Sequence, residues 1–266
     1  MPALRRVTVH RADVTLSVLA GGDGPPVVLL HGLAGSAAEL EPTALGLLDS
    51  YTVIVPDQRG HGHSTRHPAD VSRRAYADDV LAVLDAFAQG PAVLVGQSMG
   101  AHTAMLVAAW HPDRVRGLLM LEGGVGGDDG DYPSRLEAWF ASWPVPFPTR
   151  QAAVEFLGGR SLAAAWAADL EERDGAFWPR FDGAVMTAAI RGVAGEARWD
   201  DWAAVTAATL LVRGAAGTGP EGEVERMLAL RPGVDHVVVP DAGHDVHLDQ
   251  PGAWLTVLRS FLRRLA

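Results

Sequence analysis

Short apolar runs alternate with longer amphipathic stretches along much of the chain. Runs rich in β-branched and aliphatic residues occupy positions 27–30, 51–55, 92–95 and 115–121. Between them apolar residues recur at helical spacing, most clearly over residues 72–88. This alternation of strand-like and helix-like segments predicts a mostly parallel sheet whose strands are joined by right-handed helical crossovers.

Two departures from the alternation complete the predicted domain organisation. Residues 4–10 and 14–20 alternate apolar and polar positions and predict an antiparallel hairpin. After residue 124 the strand-like runs stop, and only helix-like stretches follow until the alternation resumes near residue 205. We therefore predict an α/β core formed by residues 1–124 and 205–266, with a helical cap inserted at residues 125–204.

Charge and composition narrow the classes of function. The net charge of −10 argues against nucleic acid or an anionic membrane surface as the main partner. The absence of cysteine excludes disulfides, thiolate nucleophiles and zinc–thiolate sites. No apolar run approaches the ~18 residues of a membrane helix, and the N-terminus lacks the continuous apolar core of a signal peptide. We expect a cytoplasmic monomer or homodimer whose partner is a small-molecule substrate, with no nucleic acid or membrane partner.

The most informative motif is Gly96-Gln97-Ser98-Met99-Gly100, which lies between a strand-like and a helix-like run. A strand-to-helix turn this tight has no room for a Cβ on either side of the serine, which explains the two glycines. Ser98 would then lie over the N-terminus of the following helix, where free N–H groups favour an oxyanion. We predict that Ser98 is a nucleophile; the alternative is a helix N-cap serine.

Four motifs together resemble those of the α/β-hydrolase superfamily, specifically its capped members. They are His31-Gly32-Leu33, residues 57–64, Gly96 to Gly100, and Gly243-His244-Asp245. They occur in the family's order, and the resemblance extends over residues 4–265. It implies an α/β-hydrolase fold, with a mostly parallel central sheet flanked by helices and an inserted α-helical cap. It also implies a serine hydrolase that needs no metal or organic cofactor.

A serine hydroxyl needs a base to remove its proton during attack, and the chain has ten histidines. His244 lies in a Gly-His loop before a predicted last helix at residues 247–265, where the family keeps its catalytic histidine. His247, on the first turn of that helix, is the nearby alternative. His102 lies one turn into the helix after Ser98, and we expect it to pack or to line the pocket.

The acid that orients the histidine departs from the commonest family pattern. That pattern places an aspartate shortly after the strand at residues 209–212, but no acidic residue follows here until Glu221. Some relatives, including haloalkane dehalogenases and a fungal-type resorcylic-lactone hydrolase group, instead carry the acid at the end of the strand before the cap. Glu122 has that position, and an imidazole N–H would offset the cost of burying its carboxylate. Glu122 is therefore the predicted acid, with Glu221 and Glu223 as alternatives.

The resemblance also implies an oxyanion hole and a substrate pocket. The backbone N–H groups of Leu33 and Met99 would stabilise the oxyanion. Six of the eight tryptophans fall in the predicted cap: Trp139, Trp143, Trp166, Trp178, Trp199 and Trp202. They would either form an apolar roof over the site or simply hold the cap to the sheet. The residues expected to line the pocket are His31, Gly32, His102, Trp139, Trp143 and Trp178.

These residues predict hydrolysis of an ester or lactone of a hydrophobic small molecule through a Ser-His-Glu triad and an acyl-enzyme. A serine nucleophile argues against haloalkane dehalogenase and epoxide hydrolase activity, which need an aspartate there. Two other classes remain open. One is carbon–carbon bond hydrolysis or cofactor-free perhydrolysis on the same triad, and the other is a non-enzymatic ligand-binding role.

Overall fold

A computed structural model of the chain describes residues 3–127, 130–220 and 222–265. The strands are β1 (Arg5–Arg11), β2 (Val14–Gly21), β3 (Pro26–Leu30), β4 (Thr52–Pro56), β5 (Ala92–Gln97), β6 (Val115–Leu121), β7 (Glu171–Arg173), β8 (Ala176–Trp178), β9 (Ala208–Gly214) and β10 (Asp235–Val239). Eight of them form one sheet in the order β1-β2-β4-β3-β5-β6-β9-β10. Pairing is antiparallel for β1–β2 and β2–β4 and parallel for the rest. The predicted N-terminal hairpin and mostly parallel sheet are thus confirmed.

Helices cover both faces of this sheet and also make up most of the segment between β6 and β9. The helices are α1 (Ala37–Leu45), α2 (Arg73–Phe87), α3 (Met99–Trp110), α4 (Tyr132–Ala141), α5 (Arg150–Phe156), α6 (Ser161–Asp169), α7 (Gly183–Ala194), α8 (Trp199–Ala204), α9 (Glu223–Leu230), α10 (Val246–Asp249) and α11 (Pro251–Arg264). A short 3-10 turn at Pro112–Arg114 precedes β6.

The core has two layers because successive residues of each buried strand point to opposite faces. Val28 and Leu30 pack in one layer with residues of α2 and α3. Val27 and Leu29 pack in the other layer with residues of α1 and α11. Burial on both faces explains why the sequences of the central strands are continuous apolar runs.

The strand register positions two functional candidates, Ser98 and Glu122, beside each other at one edge of the sheet. Gln97 of β5 lies opposite Leu121 of β6, and Leu121 lies opposite Val212 of β9. The residues that follow these partners are Ser98, Glu122 and Arg213. They therefore emerge side by side at the carboxyl ends of three adjacent parallel strands, where ligands bind in open α/β sheets.

The inserted segment, residues 125–204, contains a hairpin that the sequence pattern did not reveal. β7 and β8 pair antiparallel across a tight turn in which Asp174 and Gly175 both have positive φ. An Asp-Gly pair favours such a turn, but three-residue strands are too short to show an alternating pattern. The expectation that this segment holds no strand was therefore wrong.

The predicted last helix is in fact two helices, α10 and α11, separated at Gln250. Pro251 has no N–H group to continue the α10 ladder, so it begins a new helix instead. None of the helices in the described ranges is long and apolar enough to cross a membrane.

Candidate active site

Ser98 occupies a strained turn between β5 and α3. Its φ of 53° lies in the left-handed region, which costs a non-glycine residue about 1–3 kcal/mol. The Ser98 N–H donates to Leu121 O over 2.9 Å, which ties the turn to β6. A Cβ at Gly96 would overlap with the Gly100 carbonyl, and one at Gly100 would overlap with the Leu30 carbonyl. The two glycines are thus required by close backbone approach, and the turn leaves Ser98 at its tip.

Glu122 ends β6 in a second strained conformation, with a φ of 48°. Its buried carboxylate accepts hydrogen bonds from Gly214 N over 2.7 Å and from Thr218 N over 3.2 Å. Burial by itself would raise the pKa of Glu122, but the hydrogen bonds from His244 and Gly214, together with the charge of Arg213, lower it. Glu122 is therefore held as a carboxylate, the form that can accept an imidazole N–H.

His244 lies in the loop between β10 and α10, with its ring beside Glu122. His244 Nδ1 is 3.3 Å from Glu122 Oε2 and 3.0 Å from Thr218 Oγ1. A carboxylate only accepts hydrogen bonds, so the proton of the neutral ring lies on Nδ1. Nε2 is then free to act as a base. The imidazole is about one-third exposed, which leaves room for substrate beside it.

The alternative acid and base bond to other groups. Glu223 lines the same cavity as His244, but its carboxylate forms an ion pair with Arg213 over 3.1 Å and accepts the Val125 N–H instead of bonding to the histidine. Glu221 lies outside the described residues. His247 is fully buried and bonds through Nε2 to Glu39 Oε1 over 2.8 Å.

The two amides predicted to form the oxyanion hole lie next to the serine. Met99 begins α3, and the first N–H groups of a helix have no intrahelical acceptor. Leu33 follows Gly32, and a Cβ on Gly32 would lie 3.4 Å from Ser98 Cβ. This loop therefore passes directly beside the nucleophile.

His31 fixes the orientation of the Leu33 amide. Its Nε2 accepts the Gln58 N–H over 3.0 Å, so the ring proton lies on Nδ1 and donates to Gly32 O over 2.8 Å. Gly32 O and the Leu33 N–H belong to one peptide plane and point in opposite directions. Holding the carbonyl therefore directs the N–H the other way.

Two cavities meet at Ser98 and His244. The larger has a volume of about 670 Å³ and is lined by residues of α3, α7 and the loops after β6 and β9, including both Glu122 and Met99. The smaller has a volume of about 130 Å³, and Gly32 and Leu33 form part of its wall. Apolar side chains of the inserted segment form much of that wall, with the polar residues Glu39, Gln97 and Asp245 on the core side; the apolar ones are Leu136, Trp139, Phe140, Leu162 and Trp166.

The remaining pocket candidates are divided between these cavities and the protein interior. Trp139 lines the smaller cavity and His102 the larger. His31 is fully buried and touches neither. Trp143 packs at the centre of an aromatic cluster in the inserted segment, against rings such as Phe147 and Phe181. Trp178 lies in β8, apart from the linings of both cavities as the described residues form them.

Sequence reasoning missed two residues that contact the acid. Thr218 bonds to His244 through its hydroxyl and to Glu122 through its N–H. Gly217 lets this loop approach the Glu122 carboxylate, because a Cβ at position 217 would overlap with it. The only available signal was the glycine-rich stretch 214–219 after β9. It follows the strand where the commonest family pattern places the acid.

Known proteins resemble this chain over nearly its whole length. The alpha/beta hydrolase family profile matches residues 27–256. A 2-(acetamidomethylene)succinate hydrolase of Mesorhizobium japonicum is 30% identical, with coverage of 97% of this chain and 94% of the relative. An sn-1-specific diacylglycerol lipase of Mus musculus is 28% identical, with coverage of 92% and 83%.

Solved structures agree with these sequence relationships. The crystal structure of E-2-(acetamidomethylene)succinate hydrolase superposes with a TM-score of 0.89 at 29% identity, covering 98% of this chain and 99% of that one. A malate-bound thermophilic esterase from Thermogutta terrifontis superposes with a TM-score of 0.79 at 25% identity, covering 98% and 99%. The chain therefore belongs to the α/β-hydrolase family and is a hydrolase.

Proposed function

We propose that this hydrolase cleaves a carboxylic ester or lactone through a Ser98–His244–Glu122 triad. Ser98 Oγ attacks the carbonyl carbon while His244 Nε2 takes the hydroxyl proton. The N–H groups of Leu33 and Met99 hold the resulting oxyanion. The imidazolium then protonates the departing alkoxide, leaving an acyl-serine. Water, deprotonated by His244, attacks that ester and releases the acid and free Ser98.

One observation carries the proposal. The aligned ends of β5 and β6 bring a strained serine and a buried glutamate to the same cavity as the histidine that the glutamate contacts. Strained backbone at two adjacent strand ends is the kind of cost that functional sites retain. A structural N-cap role for Ser98 does not account for its strained backbone, because the Ser98 side chain makes no capping hydrogen bond.

The two cavities support a substrate with chemically different ends. Aromatic and aliphatic side chains of the inserted segment line the smaller cavity, which favours an apolar group. In this proposal residues 125–204 act as a cap that selects the substrate. The lipase and esterase names among the relatives support ester chemistry.

A second candidate is hydrolysis of an acylated amine. It is favoured by the 30% identical relative, whose name gives 2-(acetamidomethylene)succinate as its substrate. The same triad would serve, with His244 protonating a nitrogen leaving group instead of an alkoxide. Parallel assays with matched esters and amides distinguish the two, since only an enzyme that protonates the departing nitrogen should turn over the amide, whereas both should cleave the ester.

The decisive experiment is intact-mass analysis after treatment with a fluorophosphonate. We expect one adduct on the wild-type protein and none on Ser98→Ala. Ser142→Ala is a matched control, because Ser142 is exposed and its hydroxyl donates to the Trp139 carbonyl. Failure of folded wild-type protein to form an adduct would contradict the proposal and favour a ligand-binding role. Labelled protein that cleaves diketones but not esters would favour carbon–carbon bond hydrolysis.

A further inference from the structure

The buried arginines of the described chain differ in their partners. Arg59 bonds to both carboxylate oxygens of Asp79, each over 2.6 Å. Arg213 forms an ion pair with Glu223 over 3.1 Å. Arg73 is only 4% exposed and forms no ion pair with a carboxylate anywhere in the described part of the chain. A buried charge without a counter-charge is costly, so its retention needs an explanation.

The contacts of Arg73 place its charge behind the nucleophile. Its Nη2 donates to the Thr103 hydroxyl and lies 3.5 Å from Met99 O, in the first turn of α3. The guanidinium carbon lies 4.6 Å from the centre of the Tyr76 ring. Nε and Nη1 have no hydrogen-bond partner among the described residues. Burial lowers the pKa of Arg73 to about 10, so the side chain stays charged near neutral pH.

His102 connects this charge to the larger cavity. Its ring lines that cavity, is 1% exposed, and faces Gly126, where a Cβ would lie 3.0 Å from Nε2. The Val125 backbone is close, but neither ring nitrogen completes a hydrogen bond within the described residues. Burial, then the charges of Arg73 and Arg198, hold the pKa of His102 well below its usual range. The ring is therefore neutral, with one N–H to donate.

We propose that the larger cavity binds a carboxylate group of the substrate at His102, with the charge of Arg73 as its counter-charge. This rests on the proposed function and adds the substrate class, an ester or related acyl compound that carries a second, free carboxylate. Both ring nitrogens of His102 are buried, so the ring must turn toward the ligand for its N–H to donate to the carboxylate, while Arg73 acts through the low-dielectric first turn of α3.

The other charged groups of this region are already balanced. Arg198 is paired with Glu196 over 3.0 Å, Arg213 with Glu223, and Arg135, which also lines the larger cavity, with Asp131 over 2.7 Å. Glu122 is held by backbone N–H groups and by His244. Among the arginines of this region in the described ranges, Arg73 is left without a carboxylate partner, which favours an anionic ligand over a neutral one.

The test compares two esters that differ in one charge. The probes are 4-nitrophenyl hydrogen adipate and its methyl ester, which are matched in leaving group and chain length. We expect wild-type kcat/KM to be about ten- to hundredfold higher for the acid, the range of one hydrogen bond to a charged group. Arg73→Met and His102→Leu should each bring this ratio close to one, because they remove the counter-charge or the donor.

Matched variants separate recognition from a structural role. Arg73→Lys keeps the charge and His102→Asn keeps a donor, so both should retain a preference for the acid. Arg74→Met is the control, because Arg74 is 62% exposed and paired with Asp78 on the outer face of α2. A packing defect would lower kcat/KM for both esters equally and leave the ratio unchanged.

Two outcomes overturn the proposal: a wild-type ratio of one or less, or a preference for the acid that survives in folded His102→Leu and Arg73→Met. Either would mean that the cavity holds only water at His102. If neither ester is hydrolysed, the proposed function fails but the subsite remains testable. Calorimetry of Ser98→Ala with adipate and adipamide then decides it, since the subsite requires binding of the diacid and weaker binding of the diamide.

Discussion

Two glutamate–histidine pairs with buried carboxylates lie near the carboxyl ends of the parallel strands. They differ in how much of the histidine side chain is exposed. His247 Nε2 lies 2.8 Å from Glu39, with both side chains almost completely buried. His244 Nδ1 lies 3.3 Å from Glu122, and the His244 side chain is 32% exposed. The shorter and more buried pair is the one we consider structural. For the catalytic assignment, the position of the histidine relative to Ser98 matters more than the length and burial of its contact with the glutamate.

The surroundings of Glu39 show what the structural pair does. Glu39 belongs to α1, His247 to α10, and the Trp166 indole N–H of the inserted segment donates to Glu39 over 3.1 Å. The Glu39 carboxylate thus links α1, α10 and the inserted segment. His247 uses Nε2 for this contact and is absent from both cavities beside Ser98, as far as the described residues line them.

The largest predicted contrast is between the two histidines. His244→Ala should lower kcat by about 10⁶-fold, the loss seen when a serine hydrolase loses its base. His247→Ala should act on stability instead, because it leaves the Glu39 carboxylate buried without its partner. The measurement is kcat for a 4-nitrophenyl ester, beside thermal unfolding of each variant. A folded His247→Ala protein with the larger loss of kcat would reverse the assignment.

The acids provide the next contrast. Glu122→Gln should lower kcat by about 10⁴-fold, because the amide no longer fixes the tautomer and charge of His244. Glu223→Gln should cost far less, since Glu223 pairs with Arg213 and has no contact with the histidine. Both are measured with the same ester at saturating concentration. Equal losses in the two variants would indicate that the triad acid is not Glu122.

A smaller contrast lies in the pH dependence of unfolding. Burial alone would raise the pKa of Glu39, but the hydrogen bond and charge of His247 lower it below the unfolded value of 4.5. The pair therefore stabilises the fold above pH 4.5, and this contribution is lost as the pH falls through the folded pKa.

Glu39→Gln tests this linkage. The variant should lose about 3–5 kcal/mol of unfolding free energy at pH 7, the typical cost of breaking a buried pair. The difference from wild type should shrink as the pH falls below 4.5, because the unfolded wild-type chain then takes up a proton that the folded carboxylate resists. Urea unfolding at pH 7 and pH 3.5 measures both. A difference that stays constant with pH would show that the charge of Glu39 contributes nothing.

The core of the fold and Ser98 follow from local sequence, whereas His244 and Glu122 also needed the family resemblance. Continuous apolar runs and a Gly-x-Ser-x-Gly turn specify strand ends, and the ends of adjacent parallel strands must meet. Glu122 was identifiable because it directly follows the run that ends at Leu121. Its contact with His244 bridges 122 positions of sequence, and the resemblance to relatives that carry their acid at this strand end made it predictable.

Side-chain direction in the inserted segment was not predictable. Trp139 and Trp143 are four positions apart and pack edge to face in the same aromatic cluster, yet only Trp139 also lines the smaller cavity. Both are large and apolar, and only tertiary packing distinguishes them. The same limit applies to Arg73, because an arginine at the start of a helix is usually solvated. Its burial depends on Gly192 of α7, which allows its methylene groups to pack closely.

The smallest predicted effect concerns Thr218, which distinguishes the two pairs because, among the described residues, no group besides Glu39 bonds to the His247 ring. The Thr218 hydroxyl lies 3.0 Å from His244 Nδ1, closer than the carboxylate itself. Thr218→Val should lower kcat by about three- to tenfold, the value of one neutral hydrogen bond. Thr218→Ser should recover most of it. If Thr218→Val has the kcat of wild type while Thr218→Ser has a lower one, the methyl group of Thr218 supports His244 by packing. The hydroxyl then does not orient the ring.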